Sequence, residues 1–91
     1  METLHRTTET IHEYSARFQA DDGTLYAILA LGELRDDGMW EGRLEFQPLA
    51  GGLPRRTGRE TTQPNRDALI YWASGLEPIY FEGAFGRAVE L

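Results

Sequence analysis

Two Asp-Asp-Gly turns, at residues 21–23 and 36–38, restrict the fold of this chain more than any other feature, because each one separates two stretches patterned as strands. Asp-Gly closes hairpins: the glycine accepts a positive φ and the aspartate hydrogen-bonds to its own backbone. Residues 9–20 alternate, with His12, Tyr14, Ala16, Phe18 and Ala20 on one face and Glu13, Ser15, Arg17 and Gln19 on the other. That period of two predicts a half-buried strand. "LYAILALGEL" (25–34) and "MWEGRLEFQ" (39–47) predict two more, the last with Trp40, Leu44 and Phe46 on one face and Met39, Glu41, Arg43, Glu45 and Gln47 opposite. Three strands joined by tight turns make an antiparallel meander.

The second strand differs from its neighbours in being apolar on both faces. Leu25, Ala27, Leu29 and Leu31 occupy one; Tyr26, Ile28, Ala30 and Leu34 occupy the other. A central strand covered on both sides would account for this, and so would a face buried against a second copy of the chain. Tyr26, Ile28 and Ala30 are therefore interface candidates, and a homodimer stands beside the central-strand reading. With only 91 residues the chain has little core to build alone.

Downstream, residues 49–58 read as an irregular Gly- and Pro-rich loop and "RETTQ" (59–63) as a short fourth strand. Pro64 is suited to a first helical turn, with Thr62 or Gln63 as the cap. Ala68, Leu69, Trp72, Ala73 and Leu76 then form one stripe, and Gly75 fits a left-handed stop. For 78–90 a second helix is expected from Pro78 and the spacing of Phe81, Ala84, Phe85 and Ala88, with a strand over "PIYFE" as the alternative. The predicted class is α+β: a three- to four-stranded antiparallel meander followed by one or two C-terminal helices packed on one face. Residues 1–91 form a single domain in this reading, with 1–8 a flexible start.

Composition narrows the functions. There is no cysteine, which removes disulfides, thiolate metal sites and thiol nucleophiles together. The N-terminal stretch "METLHRTTETIHEYS" has no apolar run and the longest one, "LYAILAL" (25–31), is far too short for a membrane helix. Cytoplasmic location is the expectation. All nine basic residues are arginine, a usage that fits a GC-rich, bacterial-like genome.

No catalytic or metal motif is present. The paired aspartates lack the alternating spacing and closing glutamate of a calcium loop, and His5 and His12 alone do not specify a zinc site. Ser15 and Ser74 sit in no Gly-x-Ser-x-Gly turn. "GGLPRRTGR" lacks the Gly-Lys-Ser/Thr ending of a phosphate-binding loop, and too few residues follow "GAFG" (83–86) for the domain in which such a segment clamps nucleotides. No cofactor is expected, and an enzyme with carboxylate chemistry is the third-ranked class.

One segment stands out electrostatically. "LPRRTGRETTQPNR" (53–66) places Arg55, Arg56, Arg59 and Arg66 against a single glutamate, in a chain of net charge -6. Beside a helix start, such arginines could hold a phosphate or a nucleic-acid backbone; equally, they could pair with the abundant surface carboxylates. Residues 24–74, with "GMWEGRLEFQPL" followed by "TTQPNRDAL", are similar in topology to HicB-type antitoxins, although the Pro-Asp-Leu-Pro-Gly-Cys segment of that family is absent. The resemblance implies a partner-binding module. The expected function is thus a non-catalytic binding or regulatory module with a protein partner, anion or nucleic-acid binding through the arginine segment being the alternative.

Overall fold

The computed structural model describes residues 7–91. Of the expected flexible start, 1–8, residues 1–6 with His5 lie outside the described residues, whereas Thr8 already begins the first strand. The elements run β1 (Thr8–Gln19), β2 (Leu25–Leu34), β3 (Trp40–Pro48), β4 (Arg55–Arg56), β5 (Thr61–Gln63), α1 (Arg66–Ser74), α2 (Pro78–Arg87) and β6 (Val89–Glu90). They form one antiparallel sheet of order β1-β2-β3-β4-β6, with β5 also paired to β3, and both helices lie on one face of it. Among the described residues no helix is long and apolar enough to cross a membrane.

The meander is as the turns dictate. Gly23 and Gly38 take φ +89 and +87, and the turn aspartates accept from the backbone, Asp22 Oδ1 from Thr24 N at 2.9 Å and Asp37 Oδ1 from Met39 N at 3.0 Å. β2 and β3 pair in unbroken register from Tyr26↔Pro48 to Leu34↔Trp40.

β1 departs from simple alternation. Its register against β2 shifts between Thr10 and His12 and again between Glu13 and Arg17. The first irregularity turns Ile11 toward the core, where it lies beside Gly32. The second leaves Ala16 exposed, against the expectation that it faces inward. Bulges of this kind twist and bend an edge strand, and so blunt its capacity to pair with another chain.

Residues 49–63 are the main correction. The predicted loop 49–58 contains β4, and the sheet has six strands rather than three or four. Segment 55–63 runs along the outer edge of β3 as one strand broken in the middle: Arg55 and Arg56 pair with Phe46 and Glu45, then Thr61–Gln63 pair with Gly42–Trp40. At the break Thr57 replaces the ladder. Its N–H donates to Leu44 O at 2.9 Å, while its hydroxyl accepts from Leu44 N at 3.0 Å and donates to Gly58 O at 2.8 Å. Thr57 is accordingly buried, at 3% exposure.

The helices follow with small corrections. α1 begins at Arg66, and its cap is Asn65, whose side chain accepts from Ala68 N at 2.8 Å; Thr62 and Gln63 belong to β5 instead. Asn65 wins because a cap must immediately precede the first helical residue in extended backbone. Gly75 ends α1 at φ -94, not in the left-handed region. α2 spans the "PIYFE" segment as a helix, and the strand appears only after it, as β6 against β4.

The core lies between the sheet and the helices. Tyr26, Ile28, Ala30, Leu44 and Phe46 of the sheet meet Ala73, Phe81, Ala84 and Ala88. Edge-to-face aromatic pairs run through it, among them Tyr14–Phe81 at 4.8 Å and Phe46–Phe85 at 5.2 Å. Leu69 of α1 sits over a cross-strand glycine pair, Gly32↔Gly42, where an added Cβ would approach its methyls to 2.8 and 2.7 Å.

Candidate functional site

Tyr26, Ile28 and Ala30, the interface candidates, are 7%, 1% and 0% exposed and are covered by the helices of the same chain. They are not on an open face. A charge placed at Ile28 would break the core and report nothing about a partner. The face of β2 turned away from the helices is the other one, Leu25, Ala27, Leu29 and Leu31. Its register neighbours are polar: Gln47, Glu45 and Arg43 on β3, and Glu13 and Arg17 on β1. Long charged side chains cover apolar surface with their stems, and Leu31 is only 4% exposed although no helix lies above it. The two apolar faces of β2 are thus those of a central strand.

The same crowding buries two glutamates on the helix-free face. Glu45, at 6% exposure, accepts two hydrogen bonds from Arg56, at 2.9 and 2.7 Å, and one from Gln47 at 2.7 Å. Glu41, at 8%, pairs with Arg43 at 3.2 Å and Arg35 at 3.7 Å.

The four arginines of the candidate anion site do not converge. Adjacent residues of a strand point to opposite faces, so Arg56 goes to Glu45 on the helix-free face while Arg55 goes to the helix side. There Arg55 lies over the Phe85 ring, 5.2 Å from its centroid, with Glu90 at 3.8 Å. Arg66, at the start of α1, grips Glu9 of β1 through both carboxylate oxygens at 2.8 and 3.1 Å. Its hydrogen bond, with its charge, holds the Glu9 carboxyl below the usual range. Arg59 sits at the strand break, exposed, with no ion pair among the described residues.

Glu60, the lone acid of that segment, ties it to α2. Its side chain, 6% exposed, accepts from Tyr80 Oη at 2.6 Å and from Arg87 at 2.6 and 3.1 Å. Burial pushes its pKa up, but the Arg87 and Tyr80 hydrogen bonds together outweigh that and leave it below 4.5. Burial and the Glu60 contact push Tyr80 up to about 12. This cluster ties the broken strand to α2, with three hydrogen bonds converging on one carboxylate.

A cleft of about 700 Å³ lies between the β1–β2 turn and α2, which the sequence alone does not single out. Its floor is aromatic: Phe18 and Phe85 stack at 4.7 Å, and Tyr26 meets Phe85 at 5.0 Å. Arg17, Arg55, Asp21, Asp22 and Glu82 all line it. Asp22 is held below its ordinary pKa, mainly by its hydrogen bonds from Thr24, with Arg55 contributing charge. Arg17, Asp21 and Glu82 are exposed and form no ion pair among the described residues. Only the register of β1 past its second bulge, and the return of β4 and α2 to that end of the sheet, bring these residues together.

No group of three or more histidine, aspartate or glutamate side chains among the described residues is placed to hold a metal ion. Comparison with known proteins finds no matching family, no similar curated protein and no similar solved structure.

Proposed function

We propose that this chain is a non-catalytic binding module whose working surface for a protein partner is the cleft between the β1–β2 turn and α2. The observation that carries this reading is the aromatic floor of Phe18 and Phe85, part-exposed and rimmed by Arg17, Asp21 and Glu82, which form no ion pair among the described residues. Partly exposed aromatic surface with charged groups at its edge is the composition of interaction sites, where an apolar centre gives affinity and the rim gives orientation. Among the described residues the lining includes no serine or histidine. Glu9, Asp22 and Glu60, whose carboxyls depart from the ordinary range, are all lowered rather than raised, the opposite of what a general acid at neutral pH requires.

The arginine segment has less to offer an anion. Arg56 and Arg66 would have to leave glutamates that each hold them by two hydrogen bonds.

A photo-crosslinking residue installed at Gln19, in the cleft, tests the proposal against the same residue at Tyr71, which is 82% exposed on α1. Discrete adducts from position 19 and none from position 71 are expected in cells. A crosslink between two copies would identify the partner as the chain itself. Equal adducts from both positions, or none from either, would sink the proposal.

A further inference from the structure

Building on the reading that the cleft receives a protein, we infer that the segment it receives is basic, and that an arginine or lysine of the partner lies against the Phe18–Phe85 floor with its charge between Asp21 and Glu82. The first support is inside the chain. Arg55 already rests its guanidinium over the Phe85 ring at 5.2 Å, an attraction between positive charge and the negative face of the ring that a partner's cation would find again on the Phe18 ring beside it. Phe18, stacked on Phe85 at 4.7 Å, adds a second ring to that floor.

The second support is charge. Asp21, Asp22 and Glu82 line the cleft against Arg17 and Arg55, and Arg55 has Glu90 at 3.8 Å. Carboxylates therefore outnumber guanidiniums, within a chain whose net charge is -6. An incoming anion would meet that excess. An incoming cation is steered by the chain's net charge and then held locally by Asp21 and Glu82, which form no ion pair among the described residues. Two like charges line the cleft as well: Arg55, which has Glu90 beside it, and Arg17, which is exposed and forms no ion pair among the described residues.

Titration of the isotope-labelled chain with capped tetra-arginine, followed by amide NMR and repeated with capped tetra-glutamate, decides the matter. Saturable shifts at Phe18, Asp21, Glu82 and Phe85 are expected with tetra-arginine, weakening as salt rises. The double variant Asp21→Asn, Glu82→Gln should weaken binding roughly tenfold. Both side chains are exposed and form no ion pair among the described residues, so this variant keeps its fold, which the unchanged remainder of the spectrum verifies. The inference is overturned if tetra-arginine leaves the cleft resonances in place, if the double variant binds as well as the parent, or if tetra-glutamate shifts the cleft instead. Crosslinks at position 19 without tetra-arginine binding would remove the basic partner and leave the protein-binding reading standing.

Discussion

Gly42 shows how a single missing side chain sets the spacing between layers. A Cβ there would lie 2.7 Å from Leu69 Cδ1, 2.9 Å from Thr61 Cγ2 and 3.1 Å from the Trp72 ring. All three neighbours are themselves packed, so none can yield cheaply. Gly42→Ala gains about 0.4–1 kcal/mol by restricting the unfolded chain but incurs overpacking of about 1–3 kcal/mol. The net expectation is a loss of about 1–2 kcal/mol, read as a lower urea midpoint with unchanged slope. Nothing in the sequence around Gly32 and Gly42 announces this role, because the contact depends on which residue of α1 lies above them. Tyr26, Ile28 and Ala30 carry a related lesson. The sequence shows that β2 has two apolar faces, but not which of them the helices cover.

Among the elements, the broken strand 55–63 is the least legible and the most instructive. Its glycines and Pro54 suggest a loop, yet Thr57 bridges the gap in the ladder with its own hydroxyl and lets β4 and β5 share one edge of β3. The Glu60–Tyr80–Arg87 cluster then fastens this strand to α2. Its pH dependence has a definite sign. Glu60 is lowered below 4.5 in the folded chain, so its stabilisation is complete above the unfolded value and fades as pH falls through 4.5 toward the folded one. Tyr80 is raised from 10.0 to about 12, so its stabilisation is complete below pH 10 and fades between 10 and 12. Denaturation followed across pH should lose stability on both limbs. Glu60→Gln should flatten the acid limb relative to the parent chain, and Tyr80→Phe the alkaline one. An acid limb as steep in Glu60→Gln as in the parent would show that the cluster does not hold the strand.

At the scale of the whole molecule, order is unevenly distributed. β2 and β3 form the unbroken ladder beneath the core, whereas β4 and β6 contribute two residues each and pair mainly with one another and the edge of β3. Amide exchange should therefore be slowest in 26–32 and 42–46 and fastest among the strands at 55–56 and 89–90. Uniform protection across the six strands would refute this. Since Arg55 of β4 lines the cleft, the less stable corner of the sheet is also the one the proposed partner would contact.

The sequence by itself determined the α+β class, the meander and its turns, and the apolar stripe of α1, because these rest on contacts between near neighbours. Alternation, Asp-Gly chemistry and helical spacing are all properties of a few consecutive residues. It also fixed the inward side of β3, Leu44 and Phe46, in a strand free of bulges. Only the tertiary structure decided where the arginines go, that Glu41 and Glu45 are buried, and that Phe18, Phe85, Asp21 and Glu82 border one cleft. Each of these depends on register, on bulges and on the return of distant segments to one end of the sheet. A one-residue shift in a strand reverses the face of every side chain beyond it, and no local pattern records that shift.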